Sequence, residues 1–359
     1  MVITGFQCLD VISLLQPDEL PHGAHTTGTV TTHRSAHALF DSESLQYVPR
    51  SVVRTWKKRD FLIVLAIPSI EMDVRRRLRI LQRKSCWRFP GVATRANNFT
   101  GAMLVLYVFG RHPSHNFTYS LALQREAADW HDVIALPVNE GRPSTNKTIG
   151  GGLSWGNEAE IGLSRKVFLW FDMALRLFPT ATYFAKGDDD TFLRVPQYLA
   201  DLRSLPRRGV YWGVPFAEVL HKGKVTHRFQ YFAGMFYTLS RDVVQQLVLF
   251  EPVRRLVRLP YSKEREKDYR LYNMQHEDVM IGRVIHEQQY AHLVLVKEQR
   301  CRFHMLDLKD PNGVPRNSSL VIHGGTDAEF LSLMYVFGND TAAVAKRYRR
   351  KRGFLMFDC

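Results

Sequence analysis

Residues 181–190 read Ala181-Thr-Tyr-Phe-Ala-Lys-Gly-Asp-Asp-Asp190, a short apolar strand that runs directly into three consecutive carboxylates. Residues 61–67 and 103–109 are continuous apolar runs, each typical of a strand buried on both faces. Helical patterns separate these strands. The alternation predicts an α/β fold with an open, mostly parallel sheet, whose ligands bind beyond the carboxyl ends of the strands. The acidic run lies at such an end.

Composition divides the chain into three segments. Residues 16–55 are poor in large apolar groups and rich in Thr, His, Ser and Pro, and residues 1–55 are predicted to form a disordered stem or linker. Residues 56–330 hold the alternating strands and helices and are predicted to form a single domain. Residues 331–359 are predicted to contribute a short helix and a basic tail.

The charge balance suggests an anionic partner. The chain carries 49 Lys+Arg against 35 Asp+Glu, a net charge of +14, and its 45% hydrophobic content excludes intrinsic disorder of the whole chain. The charge alone is compatible with nucleic acid, an anionic lipid or a phosphorylated small molecule.

Glycan acceptor motifs argue against the first of these. Asn-x-Ser/Thr occurs at Asn98, Asn116, Asn146, Asn317 and Asn339. Five such motifs favour a secreted or lumenal chain over a cytosolic or nuclear one, so nucleic acid is not expected as a partner.

The termini and cysteines say less about the compartment. Residues 1–15 lack the basic flank of a signal peptide, and the longest apolar runs are too short to span a bilayer. Either the chain is soluble, or an N-terminal membrane anchor is missing from it; the five acceptor motifs lead us to expect the second. The four cysteines, Cys8, Cys86, Cys301 and Cys359, allow one or two disulfides and demand none.

The Asp188-Asp189-Asp190 run has two interpretations. Adjacent carboxylates repel each other, and a divalent cation such as Mn²⁺ or Mg²⁺, shared with substrate phosphates, would relieve that repulsion. Alternatively, the run is a solvated turn that caps the helix from Val195.

Two further sites are equally open from the residues alone. Glu277 and Asp278 begin a predicted helix, where an acid complements the helix dipole or is positioned to take a proton from a hydroxyl. His323 follows an apolar run and precedes two glycines. It is either structural or the residue that completes a metal shell.

Taken in order, these motifs resemble the β-1,3-galactosyltransferase / β-1,3-N-acetylglucosaminyltransferase family. The blocks that carry the resemblance are Lys186-x-Asp-Asp-Asp190-x-Phe192, Tyr231-x-x-Gly234-x-x-Tyr237-x-Leu-Ser240 and Glu277-Asp-Val279-x-x-Gly282. Upstream, Arg79-x-x-x-Arg83-x-x-Cys-Trp87 is similar to the family's arginine-rich helix. The stretch from Cys86 most resembles the trypanosomatid branch, the UDP-Gal or UDP-GlcNAc-dependent glycosyltransferases. Two features depart from the family pattern: Cys86 adds a residue before the tryptophan, and the family's Pro and Cys near Tyr231 are absent.

The resemblance implies a GT-A-like fold and a Golgi enzyme with a single N-terminal anchor. It implies a UDP-sugar donor, a divalent metal, and transfer of Gal or GlcNAc with inversion to the 3-hydroxyl of a glycan on a glycoprotein or glycolipid; a homodimer is compatible with it. The roles that it implies are Asp278 as base with Glu277 beside it, Arg79, Arg83, Asp188 and Asp189 for the donor, and Asp190, Asp188 and His323 for the metal.

Two other functions remain compatible with the sequence. One is a nucleotidyl- or phosphoryl-transfer enzyme that acts on nucleic acid, with the acid run holding two metals. The other is a non-catalytic, carbohydrate-binding relative that keeps the fold.

Overall fold

Strands and helices alternate through the computed structural model, which describes residues 28–143, 148–149, 153–154, 156–222, 225–307, 309–311, 313–341, 343–351 and 353–359. Residues 40–359 form one compact unit, and the described residues 28–39 belong to another. The α-helices are α1 (Gly28–Ser44), α2 (Arg50–Lys57), α3 (Asp73–Lys84), α4 (Leu121–Trp130), α5 (Asn157–Leu177), α6 (Val195–Ser204), α7 (Arg241–Leu249), α8 (Glu251–Leu256), α9 (Glu266–Leu271), α10 (Glu277–Glu287) and α11 (Asp327–Phe337). No described helix is both long enough and apolar enough to cross a membrane.

The strands are β1 (Ile63–Pro68), β2 (Val92–Ala93), β3 (Met103–Arg111), β4 (Val133–Asn139), β5 (Thr148–Ile149), β6 (Leu153–Ser154), β7 (Tyr183–Gly187), β8 (Thr191–Leu193), β9 (Val210–Lys222), β10 (Val225–Ser240), β11 (Val294–Lys297), β12 (Phe303–Met305), β13 (Val321–His323), β14 (Tyr348–Lys351) and β15 (Phe354–Phe357). Ten of them form one sheet in the order β14-β15-β11-β9-β10-β7-β1-β3-β2, with β4 also paired to β3. Pairing is parallel throughout except where β10 meets β7 and β9 and where β14 meets β15.

The position of β1 between two layers of helices explains why its residues form an unbroken apolar run. Val64 and Ala66 belong to the core cluster that contains α5, α7 and α10, and Ile63 and Leu65 belong to the cluster that contains α3, α4, α6 and α11. Because helices cover both faces of the sheet, neither set of side chains meets water. The predicted fold class, an α/β fold with a mostly parallel sheet and helices on both faces, is confirmed.

The sheet topology brings the predicted site residues to one edge. Strands β1 and β7 are parallel, with Ala66 opposite Lys186, so their carboxyl ends meet. Strand β10 is antiparallel to β7, and the Asp188 amide donates to the Met235 carbonyl at 3.1 Å. In a separate three-stranded sheet β8 pairs with β13, which places His323 opposite Thr191. Distant parts of the chain therefore flank the acid run.

The structure differs from the predicted stem in its C-terminal part. Residues 1–27 lie outside the described residues, but α2 falls within the predicted segment and continues past its boundary at residue 55. Val52 and Trp56, four residues apart on α2, are buried in the core. Most residues of this segment are polar or small, so its average composition does not reveal the two apolar residues that α2 buries.

The C-terminal segment also differs from the predicted basic tail. Strand β15 pairs parallel with β11 and buries Leu355 and Phe357 in the core, so the segment belongs to the main sheet. Strand β14 forms the sheet edge with its side chains exposed, and its basic residues are of the kind that discourages edge-to-edge association. A disulfide joins Cys301 to Cys359 and fastens the end of the chain.

Candidate active site

One cavity of about 550 Å³ lies at the carboxyl ends of β1 and β7. It is lined by every acidic residue that the sequence singles out and by the predicted histidine, namely Asp188, Asp189, Asp190, Glu277, Asp278 and His323. Its position is the one expected for a ligand site in a parallel α/β sheet.

Three of these side chains converge on one point. His323 Nε2 lies 3.2 Å from Asp188 Oδ2 and 3.1 Å from Asp190 Oδ1, and one ligand atom of each residue lies within 4.8 Å of the other two. Asp190 Oδ1 is buried and accepts no hydrogen bond within the described part of the chain. Two carboxylate oxygens and an imidazole nitrogen form a donor set that suits a divalent cation such as Mn²⁺. The residues present therefore fit the metal that the resemblance implies.

The alternative interpretation of the acid run as a helix cap does not fit the backbone. The residues after the run form strand β8, and the N-cap of α6 is Arg194. The aspartates therefore cap no helix.

The charges in this trio are strongly coupled. Burial raises the pKa of Asp188, but Lys186 and His323 outweigh that effect and hold the pKa well below its usual range. Burial also lowers the pKa of His323, yet the carboxylates of Asp188 and Asp190 raise it to about 10. The imidazole is therefore protonated at neutral pH, and a metal ion that binds here must displace that proton.

Asp189 forms its hydrogen bonds outside the trio. Its carboxylate accepts from Ser69 Oγ and from Arg75 Nη1, both at 2.6 Å, and is buried. It thus joins the ends of β1 and β7 to α3. Arg75 also lines the cavity and lies 3.4 Å from Asp190, although its sequence context, Arg75-Arg-Arg77, resembles solvated surface.

The structure does not bring Arg79 or Arg83 to the cavity. The Arg79 guanidinium donates to both oxygens of Glu126 at 2.8 and 2.7 Å and to Ser69 Oγ at 2.9 Å. Arg83 donates to Glu126 at 2.7 Å and to both oxygens of Asp132 at 2.8 and 2.7 Å. In this structure carboxylates of the chain itself occupy most of the N–H groups of both arginines, so their role beside the sugar donor stays a prediction. The arginine of α3 that lines the cavity is Arg75.

A lysine connects the two acidic motifs. Lys186 Nζ donates to Asp188 Oδ1 at 2.6 Å and to the Gly234 carbonyl at 2.5 Å, and lies 3.5 Å from Glu277 Oε2. Glu277 is buried, and its other oxygen accepts from the Tyr237 hydroxyl. Burial raises the pKa of Glu277 to about 7 although Lys186 acts to lower it.

Asp278 is held by backbone amides at the start of α10. Its Oδ2 accepts from the Gly234 amide at 2.9 Å and its Oδ1 from the Val279 amide at 2.8 Å. Burial raises its pKa, against the opposing effect of Lys186. A fixed carboxylate of raised pKa that lines a cavity has the properties of a general base, and its place in the first helical turn also complements the helix dipole. Both interpretations of this motif fit the geometry.

A glycine allows α10 to lie close to β10. A Cβ added at Gly282 would lie 2.3 Å from the Tyr231 Cβ, closer than two such atoms can come. Gly282 thus lets the helix pack directly on the strand whose Gly234 amide binds Asp278.

Sequence reasoning missed a second charged pair in the cavity wall. Lys166 Nζ lies 2.8 Å from Glu140 Oε1 and donates to the Ser69 carbonyl at 2.8 Å, and all three residues line the cavity. The sequence does contain a signal for this pair. Lys166 stands beside the apolar Val167 and Phe168 in a long helix, whereas an amphipathic helix usually keeps lysine on its exposed face.

Comparison with known proteins adds only remote likeness. No protein-family model and no curated protein matches the sequence. The solved structures that resemble the chain include a glycosyltransferase involved in the glycosylation of the major capsid of PBCV-1, with 10% identity over 76% of this chain and 98% of that one and a TM-score of 0.35. Mouse xyloside xylosyltransferase 1, in its apo form, has 9% identity over 75% of this chain and 99% of that one and a TM-score of 0.36. Both are glycosyltransferases, but at these TM-scores the likeness carries no argument about this chain.

Proposed function

We propose that the protein is an inverting, metal-dependent glycosyltransferase that moves Gal or GlcNAc from a UDP-sugar to the 3-hydroxyl of a sugar acceptor, forming a β-1,3 linkage. The observation that supports it best is that Asp188, Asp190 and His323 converge in the same cavity as Asp278. A single displacement needs positive charge at the leaving diphosphate and a base at the attacking hydroxyl. The cavity offers residues for both needs.

The trio would hold the metal, Mn²⁺ or Mg²⁺, and Arg75 would lie beside the donor phosphates. When bound, the cation stabilises the negative charge that develops on the leaving diphosphate. Lys186 fixes Asp188 through Oδ1, so that Oδ2 remains directed at His323. Asp189 holds Arg75 at the cavity wall.

Asp278 would take the proton from the acceptor hydroxyl. Its two backbone hydrogen bonds fix the carboxylate before the acceptor binds, so little reorganisation is needed during the reaction. Glu277 positions this part of the site through its contacts with Tyr237 and Lys186.

The proposal extends to a Golgi enzyme with its catalytic domain in the lumen and an N-terminal membrane anchor. The disulfide Cys301–Cys359 supports an oxidising compartment. Four acceptor asparagines, Asn98, Asn116, Asn317 and Asn339, are exposed, as glycan attachment requires, whereas Asn146 lies outside the described residues. Accessible acceptor sites therefore support the compartment that the motif count favours.

The test is UDP release from UDP-Gal and UDP-GlcNAc, with Gal- and GlcNAc-terminated acceptors and with Mn²⁺ or EDTA. We expect acceptor-stimulated release that requires the metal, and a product whose new linkage is β-1,3 by NMR. A protein that binds acceptor glycans but releases no UDP from any UDP-sugar would instead be the non-catalytic carbohydrate-binding relative.

A further inference from the structure

A second cavity of about 500 Å³ lies at the C-terminal end of α3. It is lined by the end of α3, the short 3₁₀ helix Cys86–Arg88, strand β2 and the segment from Trp130 to Asp132. None of its lining residues lines the first cavity. Its volume falls in the range of small-molecule sites, roughly 300–1,000 Å³.

Aromatic side chains line part of the cavity. Trp130 ends α4 and remains 37% exposed, and the Arg83 guanidinium lies over its ring at 5.1 Å and over the Tyr107 ring at 4.4 Å. Trp87 contributes a buried indole whose N–H already donates to the Tyr107 hydroxyl at 2.8 Å. Trp130 therefore offers exposed flat carbon surface, and its contact with Arg83 supports the ring.

The rim of the cavity is cationic. Lys84 and Arg88 are exposed, and neither forms an ion pair with another residue that the structure describes. Arg95 braces the wall by donating to the carbonyls of Ala128 and Asp129 at 2.8 and 2.7 Å. The carboxylate of Asp132 is already paired with Arg83. The rim thus has an excess of positive charge, which favours an anionic ligand.

We propose that this cavity binds an anionic sugar, a hexuronate or a sugar phosphate. The carbon face of the sugar ring would stack on Trp130, and its acidic group would pair with Arg88 or Lys84. Asp132 keeps a partly exposed side chain that can accept hydrogen bonds from the sugar hydroxyls. A flat aromatic anion has no hydroxyl groups that would use this acceptor. The proposal does not rest on transfer activity, because it uses no residue of the first cavity.

The probes are glucuronic acid and glucose 6-phosphate, with glucose as the neutral match, titrated against the full chain in EDTA by isothermal calorimetry. We expect at least one acidic probe to bind about tenfold or more tightly than glucose. A preference for glucuronic acid would identify the carboxylate as the recognised group, and a preference for glucose 6-phosphate the phosphate.

Substitutions in and outside the second cavity test where the probe binds. Arg88→Glu and Trp130→Ala are each expected to weaken it about tenfold. Arg203→Glu, an exposed arginine of α6 away from this cavity, and Asp190→Ala are expected to leave it unchanged. If Trp130→Ala fails to fold, Trp130→Phe keeps a stacking ring and should retain binding, while Arg88→Glu still tests the charge.

Four outcomes would overturn the proposal. Three are equal affinity for glucose and the acidic probes, unchanged binding in Arg88→Glu, and no binding of either acid up to about 10 mM. Binding that excess UDP abolishes would place the probe in the first cavity and would overturn it as well.

Discussion

Two clusters of buried charge flank α3, and they are balanced differently. Between α3 and α4, two guanidinium groups, Arg79 and Arg83, meet two carboxylates, Glu126 and Asp132, at hydrogen-bond distance. Around the acid run of the first cavity, acidic side chains outnumber cationic ones: Asp188, Asp189, Asp190, Glu277 and Asp278 meet Arg75, Lys186 and His323. Asp190 Oδ1 accepts no hydrogen bond from any described residue. Matched charges hold elements together, whereas an excess of one sign facing a cavity favours a ligand of the other sign.

One buried glutamate from each cluster, Glu126 and Glu277, shows the same contrast. Burial alone raises both pKa values, but the bonds from Arg79 and Arg83 bring the pKa of Glu126 below its ordinary value. Glu277, with a tyrosine and a more distant lysine, keeps a pKa of about 7. Charge pairing therefore decides whether a buried acid is a stable anion or a group that can exchange a proton near neutral pH.

The largest effect is expected from Asp190→Ala. Removing one metal ligand should lower UDP release about 10⁴-fold and abolish Mn²⁺ binding in calorimetry, with little change in melting temperature. Asp73→Ala, which removes an exposed aspartate of α3, is the matched control and should behave as wild type. Equal Mn²⁺ affinity in the two variants would show that the trio is not the metal site.

Asp278→Asn should lower kcat about 10³-fold while UDP affinity stays within about twofold. Asparagine keeps an acceptor oxygen for the Gly234 amide, loses the hydrogen bond from the Val279 amide and cannot take a proton. Steady-state kinetics and UDP titration separate the two effects. Loss of UDP binding would assign Asp278 to the nucleotide instead.

Arg79→Met tests the balanced cluster. It leaves Glu126 buried with one partner fewer, so we expect a loss of about 3 kcal/mol in the free energy of unfolding by urea. UDP affinity of the folded protein should not change. The double variant with Glu126→Leu should recover part of the stability, because it removes the under-paired acid. A selective loss of UDP affinity with wild-type stability would instead support the donor role that the resemblance implies.

The smallest effects are pH-dependent and opposite in sign. A raised folded pKa means that the contribution of Glu277 to stability is present below its ordinary value of 4.5 and is lost as pH rises through about 7. Glu277→Gln should therefore gain about 2 kcal/mol relative to wild type between pH 5 and pH 8. Urea unfolding of the metal-free proteins at each pH measures this difference, and a constant difference would contradict it.

Glu126→Gln is the companion variant. Because the pKa of Glu126 is lowered, its contribution is present above 4.5 and is lost as pH falls through the folded value. The variant should be less stable than wild type at neutral pH, and the gap should close in acid. Parallel pH curves for the two glutamine variants would remove the distinction between the clusters.

The sequence predicts most of the sheet because its central strands are continuous apolar runs, such as residues 61–67, bounded by proline or glycine. It also predicts the convergence of Asp188, Asp190 and His323, although β13 must pair with β8 to achieve it. What the sequence does not show is which arginine of α3 faces the cavity. Arg75, Arg79 and Arg83 occupy one helix face, and only the positions of the acids around them distinguish their roles.

Two other features that sequence reasoning missed, the burial of Lys166 and the pairing of β15, also depend on partners distant in sequence. Lys166 occupies a buried helix face, and its tertiary partners, Glu140 and the Ser69 carbonyl, are far from it in sequence. Strand β15 is short and lies beyond a basic segment, so only its pairing with β11 identifies it as part of the core. Local patterns predict elements, but a group whose role depends on distant partners needs the folded chain.

The arginine spacing on α3 also limits which insertions and deletions the helix can tolerate. Arg75, Arg79 and Arg83 find carboxylates on three separate segments, at Asp189, Glu126 and Asp132. One residue inserted between them would rotate the following arginine by about 100° around the helix axis, away from its partner. Residues 75–83 should therefore accept substitutions on their outer face but no change of length. The additional residue Cys86 lies just beyond this stretch, after α3 has ended, where a change of length leaves all three pairs intact.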